Sequence, residues 1–124
     1  MATSTLPFVL FRTADGSARP SRSRRNHAVT HTLCGFCGEI LGDRVAFVGG
    51  SLQTSRRSFS MPGMHESCAH SAVRSWQDMF TPDGGAEFML LSDGYKVALV
   101  YRRGRLCWSI RPCRVLSEQT ITSS

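Results

Sequence analysis

The chain of 124 residues has no apolar run long enough to cross a bilayer. Its longest runs are Leu6–Phe11, interrupted by Pro7, and Val97–Tyr101, far short of the ~20 residues a spanning helix needs. Leu6–Phe11 is also too short for a signal-peptide core and has no positive region before it. Residues 1–30 are rich in Arg and Ser and poor in acid, as an organelle transit peptide would be, but they lack a clear amphipathic helix. The expectation is a cytoplasmic protein with no membrane partner. Lysine is nearly missing: of fifteen basic residues only Lys96 is not arginine. That bias suits phosphate binding by planar forks, and it also suits a GC-rich genome. No internal repeat of useful length is visible. Nor is there a paired general acid and base, a nucleophile with a partner, or a glycine loop that would cradle phosphate. Neither an enzyme nor a small-molecule substrate is expected.

What is present is a set of soft ligands. Cys34-Gly-Phe-Cys37 is followed, after 27 residues, by His65-Glu-Ser-Cys68. Two pairs with two-residue gaps supply four donors, the number a tetrahedral zinc ion (Zn2+) takes, and three sulfurs with one nitrogen is a common structural set. Gly35 and Gly38 let the backbone of the first pair turn its amides toward the thiolates. The i, i+3 spacing of His65 and Cys68 puts both on one face of a helix. If the basic N-terminal stretch does not fold, only about 90 residues remain, and a metal staple is a usual remedy for so small a core. Such paired cysteines fit a reducing compartment in which they bind metal as thiolates.

Plainer and catalytic alternatives fit the same residues less well. Cys34 and Cys37 could form a redox pair, but no βαβ pattern surrounds them and a second ligand pair exists. His65 could be a surface histidine beside a lone Cys68, and His31 or His70 could take its place as ligand. Cys107 and Cys113 lack partners at ligand spacing and read as ordinary buried or half-buried thiols, and Trp76 reads as core. His65-Glu66 with His70 misses the HExxH pattern by one position, which rotates the second imidazole out of reach. A zinc deaminase would need a His-x-Glu element ahead of its cysteines, and none exists. An HNH-type nuclease would need further histidines between Asp43 and Ser60, where there are none.

Along the chain, Leu6–Arg12 reads as a short strand and Thr13–Arg25 as a flexible basic loop or arm. His31–Leu33 lead as a short strand into the first ligand pair. Arg44–Val48 is β-prone and ends at Gly49-Gly50. Leu52–Arg57 reads as a polar loop, with Arg56–Ser60 returning as the second strand of a hairpin. Met64–Phe80 is the best helix, with Cys68, Ala69, Ala72, Val73, Trp76, Met79 and Phe80 on one face and Thr81–Gly85 ending it. Glu87–Leu91, Tyr95–Tyr101 and Leu106–Ile110 read as strands, with an Asp93-Gly94 hairpin signal and a tight basic turn at Arg102–Arg105. The organisation expected is a flexible basic arm over 1–30, a zinc-binding unit over 31–85, antiparallel strands over 86–116 packing on it, and a polar tail over 117–124.

A glycine-rich Cys-x-x-Cys turn, a hairpin, and a helix whose first turn brings the last two ligands together resemble a treble-clef zinc finger. The fold class implied is α+β, a small treble-clef-like finger followed by a short antiparallel sheet. The strings Cys34-Gly-Phe-Cys37-Gly-Glu-Ile-Leu-Gly-Asp-Arg-Val-Ala-Phe-Val-Gly-Gly and Pro62-Gly-Met-His65-Glu-Ser-Cys68-Ala also resemble uncharacterised proteins of actinobacterial phages and related mobile elements. That resemblance implies a metal-binding accessory protein in the cytoplasm of a host.

The net charge is +6. Residues 1–30 hold five arginines against Asp15, and the rest holds ten basic residues against eight acidic ones. Nucleic acid is the first expectation for a partner, with Arg19, Arg22, Arg24, Arg25, Arg56, Arg57, Arg102, Arg103 and Arg105 as the contact set. A host protein is the alternative, and an exposed apolar patch on the Tyr95–Ile110 hairpin would favour it.

Overall fold

A computed structural model describes residues 7–59, 61–80 and 88–121, without the side chains of residues 75–80, 102, 107 and 108. The fold is α+β. In chain order the elements are β1 (Leu10–Arg12), β2 (Ala18–Pro20), α1 (Arg22–His31), β3 (Val45–Gly49), α2 (Ser51–Arg56), α3 (Glu66–Phe80), β4 (Phe88–Ser92), β5 (Tyr95–Arg102), β6 (Arg105–Pro112) and β7 (Val115–Thr120). All pairings are antiparallel: β1 with β2, β4 between β3 and β7, and β5 with β6.

Residues 7–31 are built into the molecule in place of the flexible arm expected over 1–30. The Phe8 N–H donates to the Phe36 carbonyl (2.9 Å) and the Val9 N–H to the Gly35 carbonyl (3.2 Å), so the chain is laid along the first ligand turn. Val9 and Leu10 are fully buried. Ser21 caps α1 by accepting from the Arg24 N–H, and Thr32 closes the helix in the left-handed region, donating back to the Ala28 carbonyl. The composition of Thr13–Arg25 is indeed too polar to order itself. Its order comes from the apolar residues on either side, Val9 and Leu10 before it and Ala28 and Val29 after it, all of them buried.

The hairpin expected between Arg44 and Ser60 is not formed. All five residues of β3 are buried, and its partner is β4, more distant in sequence, with Phe47 opposite Leu90. Leu52–Arg56, expected as loop, lies in α2, opened by Gly50 and closed by Arg57 in the left-handed region. Phe59 instead bridges Ile110 of β6, each donating its N–H to the other's carbonyl at 2.9 Å. The second edge of β3 is met by Met64, through a reciprocal pair of bonds with Ala46 at 2.7 and 2.8 Å.

Asp93-Gly94 likewise makes no hairpin. Residues 88–120 form one long bent ribbon. β4 runs against β7, the bend at Ser92–Tyr95 is carried by Asp93–Arg114 and Gly94–Cys113 backbone bonds, and β5 runs against β6. The two-residue hairpin turn is Arg103-Gly104, with φ values of 53° and 76°, the tight basic turn expected there. β7 takes the start of the expected polar tail. The readings placed on Thr81–Gly85 and on the side chains of Trp76, Met79, Phe80, Arg102 and Cys107 lie outside the described residues.

Candidate metal centre

The first ligand pair sits on a tight backbone turn. The Cys34 N–H donates to the Glu39 carbonyl (2.7 Å), the Gly38 N–H returns to the Cys34 carbonyl (2.9 Å), and Leu33 bridges Ile40 across the base. Gly38 has φ of 78°, where a side chain would be strained, and a Cβ there would also meet the Phe8 ring at 3.0 Å. The second pair is delivered by the segment that pairs with β3. His65 immediately precedes α3 and its carbonyl accepts from the Ala69 N–H (2.8 Å), while Cys68 lies in the first turn. The two halves are joined directly, since the Gly35 N–H donates to the Gly63 carbonyl at 3.0 Å. Gly63 is packed so closely that a Cβ would stand 2.1 Å from Val45 Cγ1.

The ligand atoms of Cys34, Cys37, His65 and Cys68 all lie within 4.8 Å of one another, close enough to coordinate one metal ion. Zn–S bonds of ~2.3 Å in a tetrahedron put the sulfurs about 3.8 Å apart. The imidazole fits that spacing, with its Nδ1 at 3.4 Å from Cys37 Sγ and 3.9 Å from Cys68 Sγ. Nε2, on the far side, is 3.0 Å from the Ile40 carbonyl. A proton on Nε2 donates to that carbonyl and leaves the Nδ1 lone pair facing the sulfurs, the outer hydrogen bond that orients a ligating histidine. The Phe36 and His65 N–H groups each donate to the buried Cys34 Sγ at 3.4 Å, which stabilises negative charge on it. Neither replacement histidine belongs to this cluster: the His31 ring lies against His27, with centroids 4.4 Å apart and the rings tilted by 46°, and His70 is exposed.

The donor set calls for a cation. Burial, and then the neighbouring Cys34 thiol, push the Cys68 thiol from 9.0 up to about 12. Burial raises the Cys37 thiol as well. Three thiolates cannot share this space without a positive ion between them. With their ionisation raised, the Cys37 and Cys68 thiols hold their protons at neutral pH, and a metal must displace them. Uptake of a divalent ion at pH 7 should therefore release about three protons, and affinity should fall by up to roughly 1,000-fold between pH 7 and pH 6. Calorimetry in buffers of different ionisation enthalpy measures the proton count, and a count near zero would contradict this arrangement.

The arginines of the expected contact set fall at three places. Arg19 and Arg22 are exposed on β2 and at the start of α1, and Arg25 is half-buried. Arg24 is tied down, donating to the Leu10 carbonyl at 2.8 Å. Arg56 is exposed at the end of α2, while Arg57 donates to the Thr54 carbonyl and pairs with Glu118 at 2.6 Å. Arg103 and Arg105 are exposed at the tip of the β5–β6 ribbon, where Arg102 stands opposite Arg105. The set thus divides into residues that hold the fold and residues open to solvent. Lys96 and Arg111 were missing from the expected contact set; their cross-strand register, unreadable without the pairing, joins them to Arg105 on one face. Cys113, expected to be at least half-buried, is an exposed thiol. No helix among the described residues is long and apolar enough to cross a membrane. No family model, no curated protein and no solved structure matches the chain.

Proposed function

We propose that Cys34, Cys37, His65 and Cys68 hold a structural zinc ion in a treble-clef-like arrangement of turn and helix, and that the protein binds nucleic acid through its basic ribbon. Three sulfurs and a nitrogen are a donor set that suits zinc, and four protein ligands close the tetrahedron, leaving no position for an activated water. The zinc is then a fold element of a binding protein rather than a catalyst. The observation that carries the nucleic-acid reading is the distribution of charge. Lys96, Arg102, Arg103, Arg105, Arg111 and Arg114 lie between Gly94 and Ser117 with no acidic residue among them, a local excess as large as the +6 of the whole chain. Such a stripe is the electrostatic footprint of phosphate binding.

Two measurements test this. Metal analysis of the purified protein should return one zinc per chain. Binding to nucleic acid should weaken by roughly 40- to 500-fold between 50 and 200 mM salt if three to five phosphates are contacted. Affinity indifferent to salt would count against the reading. The exposed apolar side chains of the same ribbon favour a second reading, a mobile-element module that docks on a host protein in the cytoplasm. Capture of one host protein at stoichiometric yield, with no salt-dependent nucleic-acid binding, would select it.

A further inference from the structure

The β5–β6 ribbon is amphipathic along its whole length. One face carries Tyr95, Val97, Leu99 and Tyr101 with Leu106, Ile110 and Pro112, and the other carries Lys96, Ala98 and Val100 with Arg105, Ser109 and Arg111. At its root the apolar face is covered: Ile110 is fully buried, the Tyr95 ring meets Phe47 edge-on at 6.0 Å, and the Tyr95 hydroxyl donates to the Val29 carbonyl at 2.8 Å. Toward the tip it is bare, with Leu99 58%, Tyr101 76% and Leu106 54% exposed. Exposed large apolar side chains grouped beside basic residues with no acid among them call for a partner that is both apolar and negatively charged.

We infer that this ribbon end binds single-stranded nucleic acid, with unpaired bases stacked against Tyr101, Leu99 and Leu106 and the phosphates held by Arg103 and Arg105. The inference rests on the nucleic-acid reading above and narrows it to one class of ligand. A single strand offers open π-faces and phosphates on one flexible chain, which can pass round a two-stranded ribbon and meet its apolar face, its basic tip and its basic back together. A duplex keeps its base faces inside the stack, and exposing them costs unstacking at every step used. A bilayer is flat: with the apolar face against it, Lys96 and Arg111 would point away from the lipid headgroups. A second copy fits poorly as well. Three or four side chains fall far below the ~20–30 residues a side of a stable interface, and the two ribbons would bring ten like charges together without an acid between them.

The test uses the zinc-loaded full chain, a labelled dT homopolymer of about 15 nucleotides, a mixed-sequence duplex of equal length, and anionic phospholipid vesicles. The single strand should bind at least tenfold more tightly than the duplex at equal salt. Tyr101→Ala should lose roughly 5- to 150-fold in affinity for it, and Tyr101→Phe should stay within about twofold, because stacking needs the ring and not the hydroxyl. The double substitution Arg103→Ala with Arg105→Ala should reduce the salt slope by about 1.4. These side chains are exposed, so an unchanged melting curve confirms that each variant folds. Duplex bound as tightly as single strand, or a Tyr101→Ala variant of unaltered affinity while the arginine variant weakens, would overturn this inference and leave the nucleic-acid reading standing. Salt-independent or absent binding to both oligonucleotides would remove both. Vesicle binding abolished by Tyr101→Ala, or a concentration-dependent dimer abolished by it, would assign the apolar face to lipid or to a second copy and overturn the inference.

Discussion

Removing the metal with a chelator should abolish cooperative unfolding of the zinc-loaded protein and much of its far-UV circular dichroism. The ligand cluster is where three separate parts of the chain meet. The turn at Cys34–Cys37 is bonded on one side to Phe8 and Val9 and on another to Gly63, while His65 and Cys68 start α3. Loss of the ion leaves three thiols with no reason to stay together, and the segments they join then separate. Structural zinc in small fingers supplies about 10–16 kcal/mol of apparent folding free energy, whereas whole domains are stable by only ~5–15 kcal/mol. Cys37→Ser and His65→Ala should act in the same direction. Amide exchange gives the finer result: the Phe8 and Val9 N–H groups should lose protection together with Gly35 and His65, although they lie far from the ligands in sequence. A chelated protein with an unchanged melting curve and spectrum would show that the four side chains do not hold a structural ion.

Phe59→Ala should cost about 3–5 kcal/mol and lower the melting temperature by on the order of 10–20 °C. Phe59 is almost wholly buried, stacks on Phe47 with centroids 5.2 Å apart, and sits so close to Gly49 that a Cβ there would stand 2.8 Å from its ring. Its backbone makes both bonds of the bridge to Ile110, and the preceding Ser58 hydroxyl meets that of Ser109 at 2.6 Å. The substitution therefore opens a cavity at a point where the α2–α3 connection grips the root of the ribbon. Leu99→Ala, on the exposed part of the same ribbon, should change stability by no more than about 0.5 kcal/mol. Equal losses from the two would mean that Phe59 is not the anchor described. Thermal unfolding of both variants in the zinc-loaded state decides this.

The clustering of Cys34, Cys37, His65 and Cys68 was readable from residue types and spacing, because metal coordination limits both severely. The long helix was readable because its apolar period persists over several turns, and the Arg103-Gly104 turn because its composition suits positive φ. What could not be read was pairing. Val45–Gly49 announces a strand, but nothing local says that its neighbour is Phe88–Ser92 and not the nearer Arg56–Ser60. The segment Leu52–Arg56 is polar and short, so it reads as loop until Gly50 and Arg57 are seen to bracket a helical turn and a half. Residues 13–25 show the limit of composition most clearly. Their polarity is real, yet Ser21 as a helix cap and the pegs Val9, Leu10, Ala28 and Val29 supply from outside the apolar burial that the segment lacks. Ser21 followed by ten residues free of Gly and Pro was a signal available in the sequence. The split among the arginines was not, since an exposed Arg105 and an ion-paired Arg57 look alike in one dimension.

The partner of β3 is made long after β3 itself. A ribosome adding ~5–20 residues per second leaves the strand Val-Ala-Phe-Val-Gly waiting several seconds for Phe88–Ser92 to emerge. During that interval a nascent chain carries a naked, uncharged β-segment next to two unpaired thiols. Early capture of metal by the finished Cys34–Cys68 stretch, with Met64 held on the free edge at Ala46, would shield it until synthesis is complete. Starving translating cells of zinc should therefore divert newly made chains into aggregates, while mature protein already carrying its ion is spared.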